Sequence, residues 1–217
     1  MVKYIGLFGQ KEVGKNTFYD AFEQYVVGRL RSACSRVVTV KEASFAYHLR
    51  RILADTYGIP DEIMWSGDKD QLIKVDRLRW ENLGSIVRNK YPDRVGYMTL
   101  RELLQVFGTD VIRDGWEKNF WAYFPFMQLK GTDVDFVIFT DCRFLNEVHA
   151  CIDHDGIVIN LLRPALESSD AHSSENQAIP EELFDFTIKG VEGVGPFTRQ
   201  IHDFLDANQE RFFGQCM

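Results

Sequence analysis

Short apolar runs bounded by polar loops alternate along this chain with longer stretches whose apolar residues recur at helical spacing. Val2 to Phe8 is the first run, and it ends at Gly9. After a polar, glycine-bearing loop, Phe18, Ala21, Phe22, Tyr25, Val26 and Leu30 fall on one stripe, so the opening predicts strand, loop and helix. Arg36 to Val40 is rich in β-branched residues and predicts a second strand. Ser44 stands where an N-cap belongs for a helix over Phe45 to Tyr57. From Gly58 to Tyr97 the periodicity weakens, and the polar stretch around Ser66 to Arg79 predicts an excursion or mobile substructure.

Thr99 and Glu102 have the spacing of a capping box, Met98 and Leu103 that of a hydrophobic staple. Leu100, Leu103, Leu104, Phe107 and Val111 then continue as a helical stripe. Phe136 to Phe139, closing in Thr140 and Asp141, predicts a buried central strand with a helix after Arg143. Gly156 to Leu162 and Phe184 to Ile188 predict two more strands, and Pro196 to Leu205 a closing helix with its proline near the start. Strands alternating with helices predict an α/β fold: a mostly parallel five-stranded sheet with helices on both faces, in three layers. One domain over 1–217 accommodates these elements, with 58–98 as an insertion or substrate-binding region.

Composition narrows the functional classes. The 217 residues carry 45% hydrophobic and 26% charged side chains, in the range of one sizeable core. No run approaches the roughly 18 apolar residues that span a bilayer, and Val2 to Phe8 is too short for a secretory signal, so a soluble cytoplasmic protein is expected. A formal net charge of −7 argues against a broad basic face for duplex nucleic acid and leaves room for a local cationic pocket. Cys34, Cys142, Cys151 and Cys216 are scattered, without a C-x-x-C pair, which favours reduced thiols over a metal knuckle or disulfide framework.

Candidate chemistry begins at Gly9-Gln10-Lys11-Glu12-Val13-Gly14-Lys15, which matches G-x-x-x-x-G-K between a predicted strand and a predicted helix. Backbone N–H groups of such a loop curl around phosphates, the lysine reaches the β/γ oxygens, and the helix N-terminus adds its dipole. Asn16 stands where a Ser or Thr hydroxyl normally ligates magnesium, with the hydroxyl displaced to Thr17. An amide oxygen there can hold a metal-bound water. The plain alternative is a glycine turn without a ligand.

Ligands of doubly wound sheets gather beyond the carboxyl ends of the strands, so Asp141 is expected beside the loop, acting on magnesium or its waters. Arg143 follows as a clamp for a transferring or acceptor phosphate. Alternatively Asp141 caps the next helix and Arg143 pairs with Glu147. Arg101 and Gln105 share one helix face as candidate readers of a phosphate and a base, and Arg113 is a further candidate; a solvated helix flank is the alternative for them. The polar segment Glu167 to Gln177 follows a predicted strand, and His172 and Glu175 are candidates for contact with a sugar or nucleotide.

In its Gly14-Lys15-Asn16-Thr17, in Thr99-Leu100-Arg101-Glu102-Leu103-Leu104-Gln105 with Gly108-Thr109-Asp110 and Arg113, in Trp121, in Asp141-Cys142-Arg143-Phe144-Leu145-Asn146-Glu147 and in His172-Ser173-Ser174-Glu175, the chain resembles the phage-type deoxynucleoside monophosphate kinases. The order holds from about Tyr4 to Glu175; the family more often has Asp at the position of Asn16. The resemblance implies a P-loop kinase core converting a dNMP to a dNDP with ATP and magnesium. Lys15, Asn16 and Thr17, with Gly9 and Gly14, would serve the ATP phosphates. Lys15, Asp141 and Arg143 would form the reaction centre, and Asn16 and Asp141 would meet the metal through water. Arg101, Gln105, Arg113, Glu147, His172 and Glu175 would face the acceptor.

Expected partners are therefore small molecules, in a host cytoplasm if the gene is a phage's, with homodimerisation left open. The rivals are another small-molecule kinase on the same core, acting on a phosphorylated metabolite, and a non-catalytic nucleotide-binding protein.

Overall fold

The computed structural model describes residues 2–10, 12–30, 37–163 and 179–214. In chain order its elements are β1 (Lys3–Phe8), α1 (Lys15–Tyr25), β2 (Val40–Ala43), α2 (Tyr47–Tyr57), α3 (Asp61–Met64), α4 (Ser85–Lys90), α5 (Leu100–Gln105), α6 (Phe120–Leu129), β3 (Phe136–Cys142), α7 (Leu145–Asp153), β4 (Ile157–Leu162), β5 (Phe186–Lys189), α8 (Val194–Ala207) and α9 (Gln209–Phe213). π-Helical turns extend α1 over Val26–Leu30 and α5 over Val106–Arg113. The chain divides into two compact units, Met1–Ser44 with Leu129–Met217, and Phe45–Gln128. Residues 58–98 fall within the second.

The first unit holds a five-stranded sheet in the order β2-β3-β1-β4-β5, with every pair parallel. Alternation along β1 places helices on both faces. Ile5 and Leu7 pack in one core with Phe18, Phe22 and Tyr25 of α1, Ile201 and Leu205 of α8, and Phe212 and Phe213 of α9. Gly6, between them, faces the other way: a Cβ there would lie 2.8 Å from Cys151 Sγ of α7. Strands buried on both faces read as continuous apolar runs, which is why Phe136 to Phe139 and Ile157 to Ile159 were legible as strands.

The second strand begins later than expected, at Val40, because pairing with β3 sets its start: Val40 lies opposite Phe136, where the buried run begins. The carbonyl of Thr39 accepts the N–H groups of Asp135 and Phe136 just before that register starts. Ser44 is not the expected N-cap. Helix α2 begins behind Ala46 without a side-chain cap, and the Ser44 hydroxyl is engaged in its own unit.

The second unit has its own core, including Leu53, Met64, Trp80, Met98, Leu100, Leu103 and Val106. The capping box is present: Thr99 Oγ1 accepts the Glu102 N–H at 3.2 Å, and Glu102 Oε2 accepts the Thr99 N–H at 2.8 Å. The expected stripe does not continue as an α-helix beyond Gln105. In the wider π-helical turn Val106, Gly108 and Asp110 are the buried positions, and Phe107 and Val111 are half-buried.

Asp110 accepts hydrogen bonds from Lys90 Nζ and Tyr91 Oη, both at 2.8 Å, which ties the π-helical turn to the end of α4. Asp110→Ala is expected to destabilise the protein by about 1–3 kcal/mol, because it removes a buried acceptor that holds two hydrogen bonds, one of them charge-assisted. Urea unfolding followed by tryptophan fluorescence reads this, and an unchanged midpoint would remove the network from the account of stability. Among the described residues no helix is long and apolar enough to cross a membrane.

Candidate active site

Strand β1 sits where the strand order reverses, with β3 on one side and β4 on the other, so the loop leaving its carboxyl end enters the crevice of the sheet. That loop is wound too tightly for side chains at both glycines. Gly9 has φ +147°, and a Cβ there would stand 2.6 Å from the Leu161 carbonyl oxygen. Gly14 has φ +108°, and a Cβ would meet the Phe197 ring at 2.8 Å. Glu12 also takes a left-handed conformation, φ +66°, and its carbonyl accepts from the Arg163 guanidinium at 3.3 Å.

Lys15, the first residue of α1, is buried, and its Nζ donates to the carbonyls of Gly9 at 2.6 Å and Gln10 at 2.8 Å. The ammonium therefore lies inside the curl of the loop. Asn16 is exposed on the first turn and Thr17 half-buried beside it.

The end of β3 stands next to this loop. Its pairing with β1 runs to Cys142 opposite Phe8, across a register irregularity between Gly6 and Phe8, so Asp141 and Arg143 lie on either side of Cys142, the partner of the residue from which the loop departs. Asp141 Oδ2 accepts from the Ser44 hydroxyl at 2.5 Å, and Thr140 Oγ1 donates to Glu42 Oε1 at 2.7 Å. Ser44 was missed as a site residue because its position before an apolar run resembles a helix cap; only the pairing of β2 with β3 brings it to Asp141.

Glu147 turns back on its own chain. One oxygen, Oε2, accepts the main-chain N–H of Arg143 at 2.7 Å and that of Phe144 at 3.0 Å. Burial pushes its carboxyl up to about 8, with the charge of Asp141 adding to the rise, against the lowering effect of the two N–H groups and the Arg143 charge. The contact seen between Arg143 and Glu147 runs through the Arg143 main-chain N–H, a different bond from the anticipated side-chain pair. Asp141 is not the cap of α7, whose N-cap position is Phe144. Cys142 and Cys151 are free and fully buried, and burial raises both thiols, as expected of structural cysteines.

Arg101, Gln105 and Arg113 belong to the second unit. Arg101 and Gln105 are both exposed, and Arg101 Nε donates to Asp70 at 2.9 Å. Arg113 Nε donates to Asp114 at 3.0 Å. Trp121 Nε1 donates to the Gly108 carbonyl at 2.9 Å, which anchors α6 to the π-helical turn. His172 and Glu175 lie outside the described residues. Among the described residues no cluster of three or more His, Cys, Asp or Glu is assembled to cage a metal.

Residues 35–190 match the family model for deoxynucleotide monophosphate kinase. A protein of Acanthamoeba polyphaga mimivirus named "Putative deoxynucleotide monophosphate kinase" is 27% identical over 214 residues, covering 93% of this chain and 95% of that protein. The deoxynucleotide monophosphate kinase of Escherichia phage RB69 is 30% identical over 93 residues, 42% of this chain and 38% of its own. That of Enterobacteria phage T4 is 26% identical over 102 residues, 44% and 42% of the two chains.

Proposed function

The chain belongs to the deoxynucleotide monophosphate kinase family, and from that premise we propose that it uses ATP as donor, with magnesium, at a centre formed by the 9–17 loop, Asp141 and Arg143. The supporting observation is the position of Lys15, whose ammonium lies inside the loop at the carboxyl end of β1, while Asp141 near the end of β3 and Arg143 just past it stand alongside. A cation enclosed by a tight backbone curl at a helix N-terminus is suited to the terminal phosphates of a nucleotide. On binding, the Lys15 ammonium exchanges the two carbonyls for phosphate oxygens.

An oxygen of the acceptor monophosphate, already anionic, attacks the γ-phosphorus of ATP in line. The bond from that phosphorus to the β–γ bridging oxygen breaks, leaving dNDP and ADP, and no general base is required. Lys15 neutralises charge on the donor, and Arg143 spans donor and acceptor, lowering the repulsion between two polyanions. Asn16, Thr17 and Asp141 offer only oxygen donors, which suits a hard, partly hydrated cation. Asn16 and Asp141 would hold magnesium through its waters, and the ion would supply further neutralisation of the phosphates. The hydrogen bond from Ser44 fixes one Asp141 oxygen and so orients the other. Arg101, Gln105, Arg113, His172 and Glu175 are the proposed acceptor side.

The test is ADP production from ATP and magnesium with each of the four dNMPs, for the native chain and Arg143→Ala. Release that depends on a dNMP and falls in the variant supports both donor and centre. ATP binding without any dNMP-stimulated release would overturn the ATP-dependent reading of this site.

A further inference from the structure

We propose that Glu147 is a positioning residue that sets the main chain of Arg143, so that the guanidinium is delivered to the reaction centre by a hydrogen-bond clamp formed within the β3–α7 turn. The proposal rests on the reading of Arg143 as part of that centre. Its own observation is the geometry of a single carboxylate oxygen. In an ordinary capping box the acidic residue at the third helical position accepts only the N–H of the N-cap residue, and a Ser or Thr there returns the bond. Here the N-cap is Phe144, which has no side-chain acceptor to return, and Glu147 Oε2 accepts a second N–H, that of Arg143.

Capping α7 does not need this second bond, which at 2.7 Å is the shorter of the two. Its effect is to hold two consecutive peptide units between the last residue of β3 and the first of α7, and Arg143 is the residue between them. Asp141 precedes the clamp and is held separately by Ser44. Asp141 in β3 and Arg143 just past it are therefore each held by a hydrogen bond from another residue, Ser44 and Glu147, the arrangement that preorganised charge requires. Glu147 acts through reach and acceptor capacity, not through contact with the dNMP.

Two conservative variants separate these roles. Glu147→Gln keeps the reach and an acceptor oxygen but loses the charge; because burial already draws the native group toward its neutral form, the amide is a close substitute. Glu147→Asp keeps a carboxyl group but is one methylene too short to accept both N–H groups. The clamp predicts that Glu147→Asp lowers kcat about 10- to 100-fold with KM for the dNMP little changed, since small displacements of a clamping group cost that much. Glu147→Gln should retain the larger part of kcat. In an Arg143→Ala background Glu147→Asp should cost nothing further.

An aspartate variant more active than the glutamine one, or a penalty that persists undiminished without Arg143, would overturn the proposal, and a raised KM for the dNMP would return Glu147 to the acceptor side. If the aspartate variant does not fold, Glu147→Gln alone decides: turnover as low as that of Arg143→Ala sinks the clamp. Should Arg143→Ala itself turn over normally, Arg143 leaves the reaction centre, and the proposal falls with that reading instead of by its own failure.

Discussion

Lys15→Ala is expected to lower kcat for dNMP-dependent ADP release by about 10²- to 10³-fold, the usual cost of removing one preorganised group aimed at developing charge. The ammonium is buried and enclosed by the loop carbonyls of Gly9 and Gln10, so it is presented at a set position with little freedom left to lose on binding. Lys15→Arg should not restore turnover, since a planar guanidinium does not occupy the volume of an ammonium inside so tight a curl. The loss should lie mainly in kcat, with melting temperature within a few degrees of native. Native-like kcat in folded Lys15→Ala would take the loop out of the chemistry and leave it a strand-to-helix turn.

Gly9→Ala is expected to act on stability as strongly as Lys15→Ala acts on turnover. Two costs coincide: a backbone at φ +147° that an L side chain rarely adopts, and a Cβ 2.6 Å from the Leu161 carbonyl, which belongs to the adjacent strand β4 and cannot swing aside. Together they should remove about 2–4 kcal/mol, lowering the melting temperature by roughly 5–15 °C for a chain of this size. Gly58→Ala is the control. It also has a positive φ, +65°, but nothing lies within 4 Å of its Cβ position, so only the backbone term applies. Equal losses at the two glycines would show that crowding by β4 contributes nothing.

The loop shows how far local sequence reaches. A glycine-lysine motif between a buried strand and an amphipathic helix specifies its own curl, because the strand, the turn and the first helical residue are contiguous and each restricts the next. The capping box at Thr99 and Glu102 is local in the same way, and it stands as read. The stripe beyond Gln105 does not, because apolar residues at α-helical spacing carry no information on whether a buried carboxylate will find donors. Lys90 and Tyr91 reach Asp110 from the end of α4, 20 and 19 positions away in sequence, and the turn there is π-helical.

Ser44 and Glu147 mark the same boundary within the site. By spacing, Ser44 is as good a helix cap as any, yet its hydroxyl goes to Asp141, 97 positions away in sequence. Glu147 reads as one more acid in a motif; its double acceptance from Arg143 and Phe144 depends on the turn that joins β3 to α7. From the sequence alone came the alternation of strands and helices, the parallel sheet, the tight glycine-lysine loop between β1 and α1 and the presence of Asp141 and Arg143 at a strand end. These follow from periodicity and from short-range backbone restrictions, which neighbouring residues impose on one another. Tertiary structure alone decided where β2 begins, what Ser44 holds, how Glu147 is used and where the helix after Thr99 changes its pitch, because each depends on hydrogen-bond partners or strand register that the folded chain supplies from elsewhere.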